Sequence, residues 1–130
     1  MLDKKELEII KRKFERLIKE RKIKKPKPYR KEFFKIKAEH SLQLSKELVE
    51  KPNYYDWSIN TAYYSMFYNA TALLANVNVD LDEIQESTHV IVYQALVYFF
   101  YIKEKRIEAE YLEEFKETMR ESDERLKNIA

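Results

Sequence analysis

The side chains best suited to proton transfer near neutral pH are two histidines, His40 and His89. A histidine can act as a general acid or base because its ordinary pKa lies close to neutrality. His40 lies on the apolar stripe of a predicted helix, which favours a core or boundary residue with satisfied ring nitrogens over a catalytic one. His89 follows Ser87 and Thr88 at the start of another predicted helix, where it is either a capping and packing residue or a member of a cleft.

Several other kinds of chemistry lack the residues that they need. The chain contains no cysteine and no glycine, which excludes thiolate metal sites, disulfides and glycine-rich phosphate-binding loops. Neither histidine has a second histidine or a carboxylate at metal-ligand spacing on a helix. The acidic residues of positions 113–114 and 121–124 lie among basic residues, as is typical of a solvent-facing surface. We therefore predict no metal, no cofactor and no catalytic carboxylate pair.

Charge is distributed unevenly along this sequence, although its net charge is only +2. Residues 1–37 hold 16 lysines and arginines against 6 acidic residues, while the rest of the chain has an acidic surplus. A basic segment of this kind favours phosphate or an acidic partner surface, although a solvated helix face explains the pattern equally well. The candidate basic face consists of Lys11, Arg12, Lys22, Lys24, Lys25 and Lys27.

Apolar residues recur every three or four positions in five segments, which predicts an all-α fold, an up-and-down antiparallel bundle of four to five helices. The first four predicted helices run from Asp3 to about Lys22, from about Arg30 to Glu50, from Trp57 to about Val77, and from Ser87 or Thr88 to Lys105. The fifth helix is predicted from the apolar stripe Leu112, Phe115, Met119, Ser122, Leu126 and Ile129. The apolar stripe of the second helix is Phe33, Ile36, His40, Leu44 and Leu48, and Phe34, Ala38 and Val49 widen it. We predict one domain over residues 1–130, with a basic N-terminal helix and Lys/Pro linker over 1–28 and a core bundle over 29–130.

No segment of the sequence is predicted to span a membrane. The apolar run Val90–Ile102 is too short to cross a bilayer, and the longer third helix contains several Ser, Thr and Asn residues. The N-terminus lacks the apolar core of a signal peptide. We therefore predict a cytoplasmic protein that does not associate with membranes.

The run Ala62-Tyr63-Tyr64-Ser65-Met66-Phe67-Tyr68-Asn69-Ala70 resembles the central helix of HEPN domains, in the branch of small stand-alone prokaryotic members. In that branch an A-Y-Y-A-M-F-x-A-A helix precedes a histidine at the start of an apolar helix, and here His89 precedes Val90. The closing helix of the family carries R-x-x-A-D-Y. Here Arg120 begins the corresponding segment, with Ser122 in place of alanine and Asp123 one position early. The resemblance covers residues 30 to 125.

This resemblance implies a helical bundle that is commonly a homodimer and is often encoded beside a minimal nucleotidyltransferase partner. Many members of the family are metal-independent ribonucleases with an R-x(4–6)-H motif, in which histidine transfers a proton and arginine stabilises phosphate charge. No arginine and histidine of this chain have that spacing. By the resemblance, Arg120 would contact phosphate, and the other candidate ligand-binding residues are Asp123, His89, Asn60 and Tyr64. An exposed ion pair between Arg120 and Asp123, and core packing of the tyrosines, are the structural alternatives.

Three functional hypotheses follow from these residues. The first is a non-catalytic or degenerate HEPN-like protein that binds a nucleotide, RNA or a nucleotidyltransferase partner in a toxin–antitoxin-like or stress and defence system. The second is an active metal-independent ribonuclease, a toxin, that uses His89 and Arg120 from separate helices. The third is a pure helical protein-interaction module. The missing R-x(4–6)-H motif favours the first hypothesis over the second.

Overall fold

Five α-helices make up the computed structural model, which describes residues 2–129. The ends of the predicted domain, Met1 and Ala130, and the side chain of Ile129 lie outside the described part of the chain. The helices are α1 (Lys4–Lys19), α2 (Arg30–Val49), α3 (Tyr55–Asn76), α4 (Thr88–Leu96), which continues as a π-helical segment (Val97–Ile102), and α5 (Ala109–Ile129). Residues 2–129 contain no β-strand, and their one β-type pairing is an isolated antiparallel bridge between Lys24 and Asp80. The prediction of an all-α helical bundle is confirmed.

Helix α3 is the central element, because it packs against α2, α4 and α5. Its apolar core residues Tyr63, Phe67 and Leu74 are all buried. It also buries Ser58, Asn60 and several alanines, whose small side chains let neighbouring helices approach closely. No helix within residues 2–129 is long and apolar enough to cross a membrane.

Helices α2 and α3 form an antiparallel hairpin held by serine hydroxyls. Ser45 Oγ donates to the carbonyl oxygen of Ser58 over 2.8 Å, and Ser58 Oγ donates to that of Ser45 over 2.9 Å. Two turns further along, Ser65 Oγ donates to the carbonyl oxygen of Ala38 over 2.8 Å. Side chains this small bring the two backbones close enough for their hydroxyls to reach across the interface.

The apolar stripe predicted for the second helix does not face the core. Phe33, Ile36 and Leu44 are 47%, 49% and 45% exposed, and His40 is exposed as well. The helix instead turns Ala38 and Ser45 toward α3. The interpretation of His40 as a core or boundary residue is therefore wrong. The orientation of α2 is determined by close packing of its small residues on α3, and this packing leaves the larger side chains, with His40, exposed to solvent.

Helix α1 packs onto the π-helical segment, is joined to α4 by side-chain hydrogen bonds and contributes to the shared hydrophobic core. Phe14 is completely buried and stacks on Tyr98, with ring centroids 5.4 Å apart, and its edge meets Phe99. Polar contacts hold the flanks of this interface: the Lys13 ammonium donates to Gln94 over 2.7 Å. The basic N-terminal helix is thus packed along most of its length.

The helix ends differ in detail from those predicted. Helix α1 ends at Lys19 rather than near Lys22, and the fourth helix ends at Ile102 rather than Lys105 after its last residues widen into π-helical turns. Glycine usually takes the left-handed backbone conformation, with positive φ, just after a helix ends, but this chain has no glycine. In the described part of the chain other residues take this conformation close to helix ends, namely Arg21, Asn53, Asn78 and Lys105.

Candidate functional site

A cleft of about 450 Å³ opens between α3, α4 and α5. Four of the five predicted ligand-binding residues line it: Tyr64 from α3, His89 from α4, and Arg120 and Asp123 from α5. The full lining is Tyr63, Tyr64, Ser87, His89, Val90, Lys116, Met119, Arg120, Ser122, Asp123 and Leu126. Lys116 was not predicted as a site residue, and its ammonium lies 3.1 Å from both carboxylate oxygens of Glu6 in helix α1.

His89 forms the inner wall of the cleft, where aromatic rings surround it. Its Nδ1 lies 2.6 Å from the hydroxyl of Tyr63, and its ring centroid is 4.4 Å from that of Phe67. Burial lowers the pKa of His89 below its ordinary value, although the carboxylate of Asp123 opposes this shift. Burial also raises the pKa of Tyr63, so its hydroxyl keeps its proton. A neutral imidazole that accepts from Tyr63 carries its own proton on Nε2, which leaves one donor for a ligand.

The lowered pKa of His89 predicts a loss of stability in acid. In the unfolded chain His89 binds a proton at its ordinary pKa, whereas the folded chain resists protonation until a lower pH. The free energy of unfolding should therefore fall as pH decreases from about 6.5. Chemical denaturation between neutral pH and pH 5 should show a smaller decrease for His89→Gln than for the unchanged chain. His40→Gln is the matched control and should keep the full decrease, because it leaves His89 in place. Equal pH dependence of the two variants would contradict the assignment of the decrease to His89.

Arg120 lies at the mouth of the cleft and is exposed. Its guanidinium pairs with Glu124 over 2.6 Å and with Glu117, both one turn away on α5. Among the described ion pairs Arg120 has these two glutamates as partners and not Asp123, so the alternative of an exposed ion pair between Arg120 and Asp123 is not observed. Exposed pairs of this kind stabilise little, so a phosphate group could replace the glutamates without a large cost.

Asn60 is the one of the five predicted ligand-binding residues that does not line the cleft. It is buried, and its side-chain amide donates to Ser122 Oγ over 2.9 Å, because α5 crosses directly over it. Ser122 in turn lies in the cleft wall. Asn60 thus positions α5 against α3 rather than meeting a ligand.

One of the comparisons with known proteins identifies the family of this chain. The sequence model of the HEPN domain family matches residues 31–129, which include all of the cleft. The chain belongs to the HEPN family. No curated protein and no solved structure matched the chain.

The HEPN match begins within α2, so helix α1 and the linker precede it. All six residues of the predicted basic face lie in that preceding segment and are exposed, and none lines the cleft. Lys24 and Lys25 do line a second, shallower groove, together with Arg21, Lys103 and Phe99. Its lining contains four basic and no acidic residues. Lys103 joins this group because the π-helical segment packs beside the end of α1, which sequence spacing does not reveal.

The residues of the HEPN cleft offer hydrogen-bonding and stacking groups rather than metal ligands. No group of three or more His, Asp or Glu side chains within residues 2–129 is arranged to hold a metal ion. The cleft combines one aromatic face, one carboxylate and two cations at its mouth. This combination can bind a planar, polar ligand that carries a negative charge.

Proposed function

We propose that this HEPN protein binds a nucleotide, free or within single-stranded RNA, without cleaving it. The observation that carries the proposal is that a single cleft holds the ring of Tyr64, the imidazole of His89, the carboxylate of Asp123 and the guanidinium of Arg120. These groups match the parts of a nucleotide: a base, its exocyclic donors and a phosphate. A role in a toxin–antitoxin-like or stress and defence system belongs to the same proposal.

Each of these groups has a distinct task in the proposed complex. The ring of Tyr64 stacks on the base, which is a contact that tolerates any base. The carboxylate of Asp123 accepts a hydrogen bond from an exocyclic amine, and Nε2 of His89 donates one to the ligand. Arg120 and Lys116 bind the phosphate at the mouth, where Arg120 exchanges its glutamate partners for the ligand.

Calorimetric titration with mononucleotides such as AMP and UMP tests the proposal. A charge-assisted hydrogen bond contributes about 1.5–3 kcal/mol, so Arg120→Ala should weaken binding roughly 10- to 150-fold. Arg12→Ala is the matched control, because Arg12 is also exposed and paired with a glutamate one turn away on its own helix, outside the cleft. Equal affinities for the two variants, or no binding by the unchanged protein, would overturn the proposal.

A metal-independent ribonuclease is the alternative that the same cleft allows. It is favoured by the neutral imidazole of His89 in the same cleft as Arg120, and it requires the tautomer in which Nδ1 donates to the Tyr63 hydroxyl and Nε2 is free to accept a proton. It is disfavoured by the absence of the R-x(4–6)-H spacing from this sequence and by the pairing of Arg120 with Glu117 and Glu124. Cleavage of RNA in the presence of a chelator, lost in both His89→Ala and Arg120→Ala, would establish this alternative.

The shallower groove lined by Arg21, Lys24, Lys25 and Lys103 extends the proposal to RNA longer than one nucleotide. Release of counterions makes such binding depend on salt, with a slope of about −0.7 for each phosphate contacted on a single strand. Arg21→Ala and Lys25→Ala should each weaken binding of a single-stranded RNA and make the salt slope less negative by about 0.7. Lys11→Ala is the control outside the groove and should change neither quantity. Salt slopes that are equal in all three variants would exclude the groove from the RNA site.

Two kinds of protein partner also belong to the proposal. We propose that the chain forms a homodimer and that it can bind a minimal nucleotidyltransferase, in a cytoplasmic setting. The exposed apolar side of α2 supports an interaction role, and it also keeps open the alternative of a pure interaction module. Stable co-purification with such a partner, without any affinity for nucleotide or RNA, would favour that alternative.

A further inference from the structure

A cavity of about 250 Å³, separate from the HEPN cleft, lies between α2, α3, α4 and the loop that joins α3 to α4. Aromatic and aliphatic side chains from all four of these segments make up most of its lining, among them Phe34, Tyr68, Leu74, Leu81 and Ile91. An engineered apolar cavity of about 150 Å³ is large enough to bind benzene. The cavity beside α2 therefore has room for an aromatic ring with a short side chain.

The cavity and the cleft have no lining residue in common. They lie on different faces of α4, since Ile91 lines the cavity whereas His89 and Val90 line the cleft. The ring of Phe67 lines the cavity, and its centroid lies 4.4 Å from that of the His89 imidazole, so this ring stands between the two sites. A molecule in the cavity is therefore a different ligand from the nucleotide proposed for the cleft.

The charged residues of the cavity lining are one arginine, Arg30, and two aspartates, Asp80 and Asp82, so their charges sum to −1. The side chain of Asp82 is 62% exposed, which places this end of the cavity at the solvent, and it accepts a hydrogen bond of 2.7 Å from Arg30. The side chain of Asp80 is only 12% exposed, and its carboxylate lies 3.5 Å from Nε of the same arginine, beyond an ordinary hydrogen bond. Its other oxygen accepts from the backbone of Asp82 over 2.8 Å. One arginine therefore compensates two carboxylates incompletely, and the less exposed carboxylate has the longer contact with it.

Two lysines near these carboxylates have other partners. Lys24, whose backbone pairs with that of Asp80, has its ammonium 3.6 Å from the carboxylate of Glu83. Lys31 of α2 donates to the side chain of Asn76 over 2.7 Å. Neither lysine lines the cavity. A bound cation would supply the missing positive charge, because a carboxylate removed from water is stabilised by an opposite charge beside it.

We propose that the cavity binds a small aromatic amine, a molecule with one aromatic ring and a protonated amino group on a short carbon chain. The ring packs in the apolar interior against Phe34 and Tyr68, whose own rings are stacked with centroids 5.8 Å apart. The ammonium lies beside the carboxylates of Asp80 and Asp82, where it forms charge-assisted hydrogen bonds. This site does not depend on the nucleotide proposed for the cleft.

Calorimetric titration with three probes of similar size tests the proposal, namely phenethylamine, phenethyl alcohol and hydrocinnamate. The amine should bind about 10-fold or more tightly than the uncharged alcohol, because its ammonium adds a charge-assisted hydrogen bond. The carboxylate of hydrocinnamate should bind more weakly than the alcohol, because it meets the surplus of negative charge. Equal affinities for the amine and the alcohol, tighter binding of hydrocinnamate, or no binding of the amine would each overturn the proposal.

Asp82→Asn removes one carboxylate from the site and should weaken phenethylamine binding about 10-fold, while the affinity for phenethyl alcohol stays within about twofold. Glu83→Gln is the matched control, because Glu83 is the next residue of the same loop and is also exposed, but does not line the cavity. This variant should keep its affinity for phenethylamine within about twofold. Equal effects of the two substitutions would overturn the proposal, since the amine would then respond to the charge of the loop rather than to the cavity.

Two further variants locate the bound amine. Thr71→Leu places a larger apolar side chain in the cavity lining and should abolish binding of both the amine and the alcohol. Arg120→Ala changes the cleft alone and should leave the affinity for phenethylamine unchanged, so failure of the amine site and failure of the proposed nucleotide site are distinguishable. Displacement of phenethylamine by AMP, or amine binding that survives Thr71→Leu but is lost in Arg120→Ala, would place the amine in the cleft and overturn the proposal.

Discussion

Replacement of Ile10 by alanine should lower the free energy of unfolding by about 2–5 kcal/mol, the usual range for an aliphatic side chain removed from a packed core. Ile10 is 1% exposed and belongs to the core cluster that α1 shares with α4 and the π-helical segment. Phe14, one turn further along α1, packs against the rings of Tyr98 and Phe99 in the same core, so these side chains have little freedom to collapse into the cavity. Urea denaturation followed by circular dichroism measures this loss.

Ile9 supplies a matched control, since it is the same residue type in the same turn of α1 but 64% exposed. Ile9→Ala removes little buried surface and replaces a β-branched residue with a better helix former, so stability should change by no more than about 0.5 kcal/mol. The contrast between two adjacent isoleucines depends only on whether α1 is packed in the core. Similar small effects for both variants would show that α1 does not pack as described.

Replacement of Tyr64 by leucine should weaken mononucleotide binding by about 5- to 150-fold. Stacking of a base on an aromatic ring contributes about 1–3 kcal/mol, and leucine keeps the apolar bulk of the wall without the aromatic face. Tyr64 lines the cleft, so its ring is available to a bound base. Fluorescence or calorimetric titration of the variant measures the change.

Tyr68 is the control for this substitution, one turn further along α3. Its ring centroid is 5.8 Å from that of Tyr64, yet it lines a different cavity between α2 and α4. Tyr68→Leu should therefore leave nucleotide affinity within about twofold, although it removes the same chemical group. If Tyr68→Leu weakens binding as much as Tyr64→Leu, the base does not stack in the cleft.

The central part of the fold could be predicted from sequence, because the large residues of α3 alternate with small ones over its whole length. The same reasoning failed for α2. There, Phe33 and Ile36 form the more conspicuous apolar pattern, but Ala38 and Ser45 allow the closer approach to α3 and so determine the buried face. Periodicity shows that a helix has an apolar side, but it does not show whether the chain itself or another molecule covers that side.

Only part of the candidate site could be predicted from the sequence, because the rest depends on how the helices pack against one another. His89 and Arg120 could be identified through the resemblance to the HEPN family, which carries information about residues far apart in sequence. Asn60 was misplaced because its position depends on where α5 crosses α3. No local sequence pattern predicts that Tyr63 is the partner of His89 or that Lys116 pairs with Glu6, because each contact joins two different helices.

The most direct measurement of the central claim is one titration of end-labelled single-stranded RNA with this HEPN protein in the presence of a chelator. The same samples are read twice, by anisotropy for binding and by denaturing electrophoresis for strand length. The account predicts RNA that is bound and fully intact, with binding reduced by both Tyr64→Leu and Arg120→Ala. Shortened RNA whose appearance requires His89 and Arg120, or no bound RNA at any concentration, would contradict it.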